Sequence, residues 1–595
     1  MMASVKTEIS PDTFLVGIGV SPGIAIGATH LVNRARMAAL ERRIRKSDVD
    51  VEIAAFEEAV ELSRRQLHEV KRRVADRHLA EHLYIIDTHL LILEDQMLHA
   101  ETRRGIREDL LNAEGALKRA LDQFRSVFES IEDEYLRDRG SDVESVGERL
   151  LRNLMGESEQ SLSGIDRKVV VVAHDLSPAD TMQIDKDKII GFVTDVGGRT
   201  SHTAILARSQ GIPAVVGLEN ATALIPGGTP LIVDGSSGTV ILNPTPETFR
   251  EYLQKKQRYE YGERELLSYR SLPAETPDGH RLVLRCNVEL PSEVPHALAQ
   301  GAEGVGLFRS EFLYLGRQFP PDEEEQFDAY REIVTAMAPH EVTIRTLDVG
   351  GDKFVPEINL SDEVNPALGL RGVRFSLADR QLLKIQLRAI LRVSALGPVR
   401  VMFPMISGVS EIRACKSILH QAMAELSREG IDFDGRIPVG IMIETPSAAL
   451  IADKLAREVD FFSVGTNDLI QYCLAVDRSN EHVAYLYEPL HPAILRALQM
   501  ICRAARQAGI KVAMCGEMAA EPLYLPILIG FGFGELSMNA PCIPRVKRVV
   551  RQIRYSEGKE LLEKLLQLST VAEVTHCLEE EMMTRIPDLF GKTDI

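Results

Sequence analysis

The sequence predicts an α/β multidomain protein: a C-terminal (β/α)8 barrel of the TIM type, preceded by a smaller α/β domain that is interrupted by an inserted all-helical segment. Three observations carry this prediction. Beyond residue 280, eight short apolar runs alternate with stretches long enough for helices, with a doubly wound open sheet as the structural rival to the barrel. Between Pro22 and Pro178 there is no proline, and apolar residues recur at helical spacing. On both sides of that region the texture is the same, short Gly/Val/Ile runs broken by turn signals.

Taken in order, GIGVSPGIAIGATHLV opens the α/β domain, which is assigned residues 1–34 and, after the interruption, 158–245. In the helical insertion, residues 35–157, Ile53, Phe56, Val60, Leu67, Val70 and Val74 mark one helix face, and charged residues fill the others. Its stretch YIIDTHLLILEDQ, 84–96, is apolar enough to serve either core or a docking surface. VVVVAH, IIGFVT and IPAVVG read as strands, and LIVDGSSGTVIL as a hairpin around Asp234 to Gly238. Residues 247–269 follow Pro244 and Pro246 and read as a long charged helix, so 246–270 is assigned as the connector. The barrel takes 271–595, with strands expected at 282–288, 304–308, 342–347, 399–404, 439–443, 461–465, 511–515 and 535–538.

Composition narrows the function. With 595 residues, 45% hydrophobic and 26% charged, the chain has ample core. Its 69 basic and 87 acidic side chains leave a net charge of −18, which opposes nonspecific binding to nucleic acid or an anionic membrane. Seven scattered cysteines without a CxxC pair suit a reducing cytoplasm, and neither a secretory leader nor a membrane-inserting run is read.

In a parallel barrel, chemistry gathers at the C-terminal strand ends. Those positions here hold Asn287, Arg309, Arg345, Pro404, Glu444, Asn467 with Asp468, Cys515 and Asn539. Arg309, Arg345 and nearby Arg478 are planar donors suited to phosphate and carboxylate oxygens. Glu444 and Asp468 are hard ligands for Mg²⁺, with Mn²⁺ an acceptable substitute. The set describes phosphoryl transfer. Cys515 alone reads as a nucleophile, a proton donor or an inert buried thiol.

A second constellation, Gly197 to Thr203, is a glycine turn running into a helix with His202 in its first turn. Gly198 permits close backbone approach, Thr200 adds a hydroxyl and Arg208 a cation, so an imidazole nucleophile there can carry a phosphoryl group. His202 and the barrel ring fall in different domains. The histidine must therefore swing between donor and acceptor, and the connector helix fits that demand.

Specific motifs run through nearly the whole chain: VGGRTSHT (196–203), GIPAVVG (211–217), GVGLFRSEFL (304–313), RTLDVGGDK (345–353), NPALGLRGVR (365–374), MIETPSAA (442–449), SVGTNDLIQY (463–472) and AMCGEM (513–518). In these the chain resembles enzyme I of the phosphoenolpyruvate-dependent sugar phosphotransferase system. The resemblance implies a cytoplasmic phosphoenolpyruvate-protein phosphotransferase, a homodimer through its barrel, that autophosphorylates at His202 with release of pyruvate. It then passes the phosphoryl group to a histidine of the phosphocarrier HPr, which docks on the helical insertion. It implies that Arg309, Arg345 and Arg478 hold phosphoenolpyruvate with help from Asn467, Arg371 and Lys353. Glu444 and Asp468 would bind Mg²⁺, and Cys515 becomes the acid that protonates the enolate. Ile470 stands where the family often has threonine.

Three rivals remain. A pyruvate phosphate dikinase needs a large nucleotide-binding domain, whereas the segment before the His202 unit reads as helix and has no GxxxxGK[ST] loop. A non-catalytic phosphorelay scaffold needs none of the retained arginines, acids, Cys515 or His202. The nitrogen-related branch of the system would keep the chemistry and change the circuit.

Overall fold

The computed structural model describes residues 10–32, 41–75, 83–129, 143, 146–156, 165–176, 188–198, 201, 203–204, 207–208, 211–314, 319–349, 365–478, 480 and 482–587. The chain forms two units, residues 1–263 and 264–595.

In the first unit, eight strands build one sheet: β1 (Thr13–Val16), β2 (Ile18–Ser21), β3 (Ile24–Val32), β4 (Val169–Ala173), β5 (Ile189–Thr194), β6 (Ala214–Val216), β7 (Pro230–Asp234) and β8 (Thr239–Leu242). Their order is β1-β8-β7-β3-β4-β5-β6-β2. β3 and β4 pair directly in parallel, Ala28 against Val169 through Val32 against Ala173. Since residues 33–168 lie between these two neighbours, the helical segment is an insertion into the sheet domain. β7 and β8 form the expected antiparallel hairpin. The two edge strands, β1 and β2, are joined through Gly17, where a Cβ would lie 2.6 Å from the Val216 carbonyl oxygen. Glycine lets one strand pass from one edge to the other.

The insertion contains α1 (Val49–Ala75), α2 (Leu83–Leu93), α3 (Gln96–Arg107) and α4 (Ala113–Glu129), with residues 146–154 also helical. Phe56, Val60, Leu67 and Val70 pack with Ile86, Leu93, Leu98, Ile106, Leu117 and Leu150 in one core. Asp95 starts α3 by accepting from the Met97 and Leu98 amides at 2.8 and 3.0 Å, satisfying donors the helix cannot. The apolar stretch 84–96 divides: Ile86 and Leu93 enter the core, whereas Leu91 is 70% exposed.

The connector, α5 (Pro246–Ser268), starts beside Asp12. That carboxylate accepts from the Thr245 amide at 2.8 Å and from the hydroxyls of Thr245 and Thr248 at 2.9 Å. Among the described residues no helix is long and apolar enough to cross a membrane.

In the second unit, eight parallel strands close on themselves: β9 (Val283–Val288), β10 (Val305–Arg309), β11 (Val342–Arg345), β12 (Val399–Phe403), β13 (Val439–Ile443), β14 (Phe461–Val464), β15 (Lys511–Met514) and β16 (Glu535–Met538). β16 returns to β9 in register Glu535–Val283 to Met538–Cys286. The main core packs between strands and surrounding helices, and Ile470 belongs to it, 1% exposed, so an apolar residue suits that position. Near the strand starts the interior holds a buried ionic cluster. Arg400 Nη2 lies 2.5 Å from Glu535 Oε2, and Arg285 reaches the same carboxylate at 3.1 Å and Glu341 at 2.7 Å. Charges this deep persist only when paired. The opposite end is left for chemistry.

Candidate active site

β10 ends on Arg309 and β11 on Arg345, and Glu444 and Cys515 directly follow β13 and β15. Asp468 stands in the first turn of α6 (Thr466–Leu474), which begins two residues after β14. Successive parallel strands thus deliver these side chains to one rim.

Arg345 is 8% exposed. Its Nη2 pairs with Glu311 Oε1, and its Nη1 lies 3.1 Å from Asp348 Oδ2. Arg371 continues the network: its Nη2 lies 3.2 Å from Asp348 Oδ2 and 3.4 Å from Asp468 Oδ2, and its Nη1 donates to the Tyr472 hydroxyl at 3.2 Å. The loop carrying Arg345 and Asp348 is held from below. Buried Gln386 donates to Ser310 Oγ at 3.0 Å and accepts from the Leu347 amide at 2.9 Å, while Ser310 Oγ donates to the Arg345 carbonyl at 2.8 Å. Gly372, at φ +57°, follows Arg371. A Cβ there would lie 2.8 Å from Met405 Cβ and 3.0 Å from Asp348 Oδ1, so glycine serves both the left-handed backbone and the close approach.

These pairings decide charge states. Burial works against the Arg345 cation, but Glu311 and Asp348 beside it more than offset this and hold it above the ordinary arginine value. For Arg371, Asp348 and Asp468 do the same against burial. Burial pushes the Glu444 carboxyl up, and the negative charges of Asp348 and Asp468 push it further. Oxygen atoms of Asp348, Glu444 and Asp468 lie within 4.8 Å of one another. Three hard carboxylates, one destabilised by its neighbours, are a donor set that a divalent cation would relieve. They fit Mg²⁺ or Mn²⁺.

Cys515 is 5% exposed beside this network. Burial raises its thiol above the ordinary value, opposed by the neighbouring Ser463 hydroxyl and by the Arg345 charge. Such a thiol stays protonated and can donate. Its carbonyl accepts from Asn287 Nδ2 at 3.1 Å, which fixes the strand end.

The remaining expected residues are placed less centrally. Arg309 is partly exposed and pairs with Glu289. Asn467 donates to Glu517 Oε1 and accepts from the Glu517 amide, both at 3.0 Å. Arg478 is exposed, with its described side-chain contact on Tyr487. Lys353 lies outside the described residues. Sequence reasoning missed Glu311 and Asp348, although both stand within three residues of a strand-end arginine, inside motifs that had been singled out.

In the first unit, His202 and Thr200 lie outside the described residues. Around them, Gly197 adopts φ +117° and a Cβ on Gly198 would meet open space. Residues 203–204 and 207–208 are helical, with Arg208 exposed. Ser201 Oγ accepts from the Ala204 amide at 3.3 Å. Ahead of the glycines, buried Asp195 accepts from the Thr222 amide at 2.9 Å and lies 3.1 Å from His174 Nδ1, anchoring the end of β5.

Comparison with known proteins bears on this arrangement. Three family descriptions match in order: PEP-utilising enzyme, N-terminal, at residues 16–139; PEP-utilising enzyme, mobile domain, at 165–238; and PEP-utilising enzyme, PEP-binding domain, at 263–555. The phosphoenolpyruvate-protein phosphotransferase of Staphylococcus carnosus (strain TM300) is 41% identical over 95% of this chain and 98% of its own. That of Bacillus subtilis (strain 168) is 42% identical over 95% and 99%. The chain belongs to the phosphoenolpyruvate-protein phosphotransferase family. A solution structure of an Enzyme I (nEIt) protein, 41% identical, covers 41% of this chain and 99% of its own with a TM-score of 0.37.

Proposed function

We infer that the chain transfers the phosphoryl group of phosphoenolpyruvate to its own His202, releases pyruvate, and passes the phosphoryl group to a histidine of HPr. The convergence of Arg345, Arg371, Asp348, Glu444, Asp468 and Cys515 at one rim carries the reading, because it joins anion donors, a cation-binding carboxylate set and a proton donor.

The arginines orient the phosphate and neutralise its oxygens as charge spreads in the transition state. Arg309 faces the same rim, with Asn467, Arg478 and Lys353 as further holders. Glu444, Asp468 and Asp348 would hold Mg²⁺, which bound would bridge substrate to protein and offset charge on the phosphoryl group. Attack by the His202 imidazole forms an N–P bond while the bridging P–O bond breaks. The enolate left behind takes the Cys515 Sγ proton at its methylene carbon and becomes pyruvate. Gly198, Thr200 and Arg208 supply the surroundings of the phosphohistidine.

The helical insertion is the docking domain for HPr, and its exposed Leu91 supports that assignment. The barrel supplies a homodimer contact, the protein works in the cytoplasm, and the circuit served is sugar uptake.

The test is phosphoryl-labelled phosphoenolpyruvate with Mg²⁺, on wild type and His202→Ala, with and without HPr. Acid-labile label on wild type alone, chased onto HPr with pyruvate released, is the expected result. Labelling that persists in the variant, or that requires ATP, would overturn the reading.

A further inference from the structure

We propose that Glu289 is a built-in competitor for the phosphoryl oxygens of the substrate: its carboxylate occupies the Arg309 guanidinium when the site is free, and so lowers the affinity for phosphoenolpyruvate. This rests on the reading that Arg309 receives phosphate.

The rim acids differ in what holds them. Glu311 is 1% exposed and sealed against Arg345. Asp348 is divided between Arg345 and Arg371, and with Asp468 and Glu444 it forms the carboxylate cluster. Glu289 is different. It directly follows β9, outside that cluster, and among the described residues its carboxylate has one partner, Arg309. The side chains of the pair are 35% and 38% exposed, so the contact is open to solvent.

The backbone at this point is fixed while the side chain is not. Glu293 Oε2 accepts from the amides of Glu289 at 2.7 Å and Leu290 at 3.3 Å, which pins the turn. The Glu289 side chain keeps its rotatable bonds. A carboxylate and a phosphate present equivalent oxygen edges to a guanidinium, and Glu289 takes Nη1 of Arg309, so a phosphate gains that nitrogen only by displacing the carboxylate from it. The more highly charged phosphate displaces the carboxylate, and the cost appears as weaker substrate binding with no effect on the chemical step. Being half solvated, the pair is a weak competitor.

The measurement is steady-state pyruvate formation by the full chain with HPr and saturating Mg²⁺, comparing wild type, Glu289→Gln, Arg309→Ala and the double variant. Glu289→Gln is expected to lower KM for phosphoenolpyruvate about 2- to 5-fold with kcat within the same factor of wild type, and to lower the inhibition constant of inorganic phosphate alike. In the Arg309→Ala background the Glu289 substitution should change nothing. A KM that is unchanged or raised in Glu289→Gln, with Arg309→Ala severely impaired, overturns the competitor and leaves the site intact. Wild-type kcat/KM in Arg309→Ala would instead remove Arg309 from the site, and the competitor with it.

Discussion

Replacing Asp348 by asparagine keeps the volume and removes one charge, so it tests whether this residue is a working member of the site. At an effective dielectric of about 20, Arg345 at 3.1 Å and Arg371 at 3.2 Å each favour the Asp348 charge by about 5 kcal/mol. Glu444 and Asp468, with oxygens no more than 4.8 Å away, each oppose it by at least about 3.5 kcal/mol when ionised. With both ionised the charge is held by a margin of at most about 3 kcal/mol before desolvation, and desolvation reduces the folding cost of losing it to about 1–2 kcal/mol. Arg345 retains Glu311 and Arg371 retains Asp468, which keeps the loss below that of an orphaned buried charge. Cation binding suffers more, because one of three negative ligands becomes neutral. The Mg²⁺ concentration for half-maximal pyruvate formation should rise about 10- to 100-fold. The assay is a Mg²⁺ titration of pyruvate release at saturating phosphoenolpyruvate, with thermal unfolding alongside. A midpoint within twofold of wild type would refute the assignment of Asp348 to the cation set, whatever the stability change.

Other perturbations follow from the same geometry. Cys515→Ala should slow pyruvate formation about 100-fold or more, while binding of phosphoenolpyruvate in isothermal titration stays within a few-fold. Because burial raises the Cys515 thiol, its proton is retained as pH climbs through the ordinary cysteine value. The alkaline limb of the rate profile should therefore lie above that value, and alkylation of Cys515 by iodoacetamide at neutral pH should be slower than that of a free thiol. Gln386→Leu removes the supports of Ser310 Oγ and the Leu347 amide. It should destabilise the protein by about 1–3 kcal/mol and lower kcat/KM, measured by denaturant unfolding and steady-state kinetics. Glu535→Gln takes the shared counter-charge from Arg285 and Arg400. A loss of about 3–5 kcal/mol is expected in denaturant unfolding, with KM at the opposite rim little changed.

Much of this protein was legible along the chain because its strands are short apolar runs whose ends are marked by the chemistry they carry. Each barrel strand lies within two residues of the run that predicted it, and Arg309, Arg345, Glu444 and Cys515 stand at strand ends. The alternation of strand and helix is a local property, set by side-chain periodicity and turn residues, so it can be read without knowing any contact. Closure into a barrel then brings the strand ends to one rim by geometry alone.

What the sequence could not order was the pairing among these groups. Arg309, Arg345 and Arg371 are the same residue type, yet their partners are Glu289; Glu311 with Asp348; and Asp348 with Asp468. These acids come from separate strand-end loops, and only closure sets the angstrom separations that decide which charge neutralises which. The same holds for β3 and β4, neighbours in the sheet although the helical insertion lies between them. The sequence by itself determined the elements and the chemical types at their ends. Tertiary structure decided the counter-charges, because electrostatic pairing depends on distance through space and burial, and neither is encoded by position along the chain.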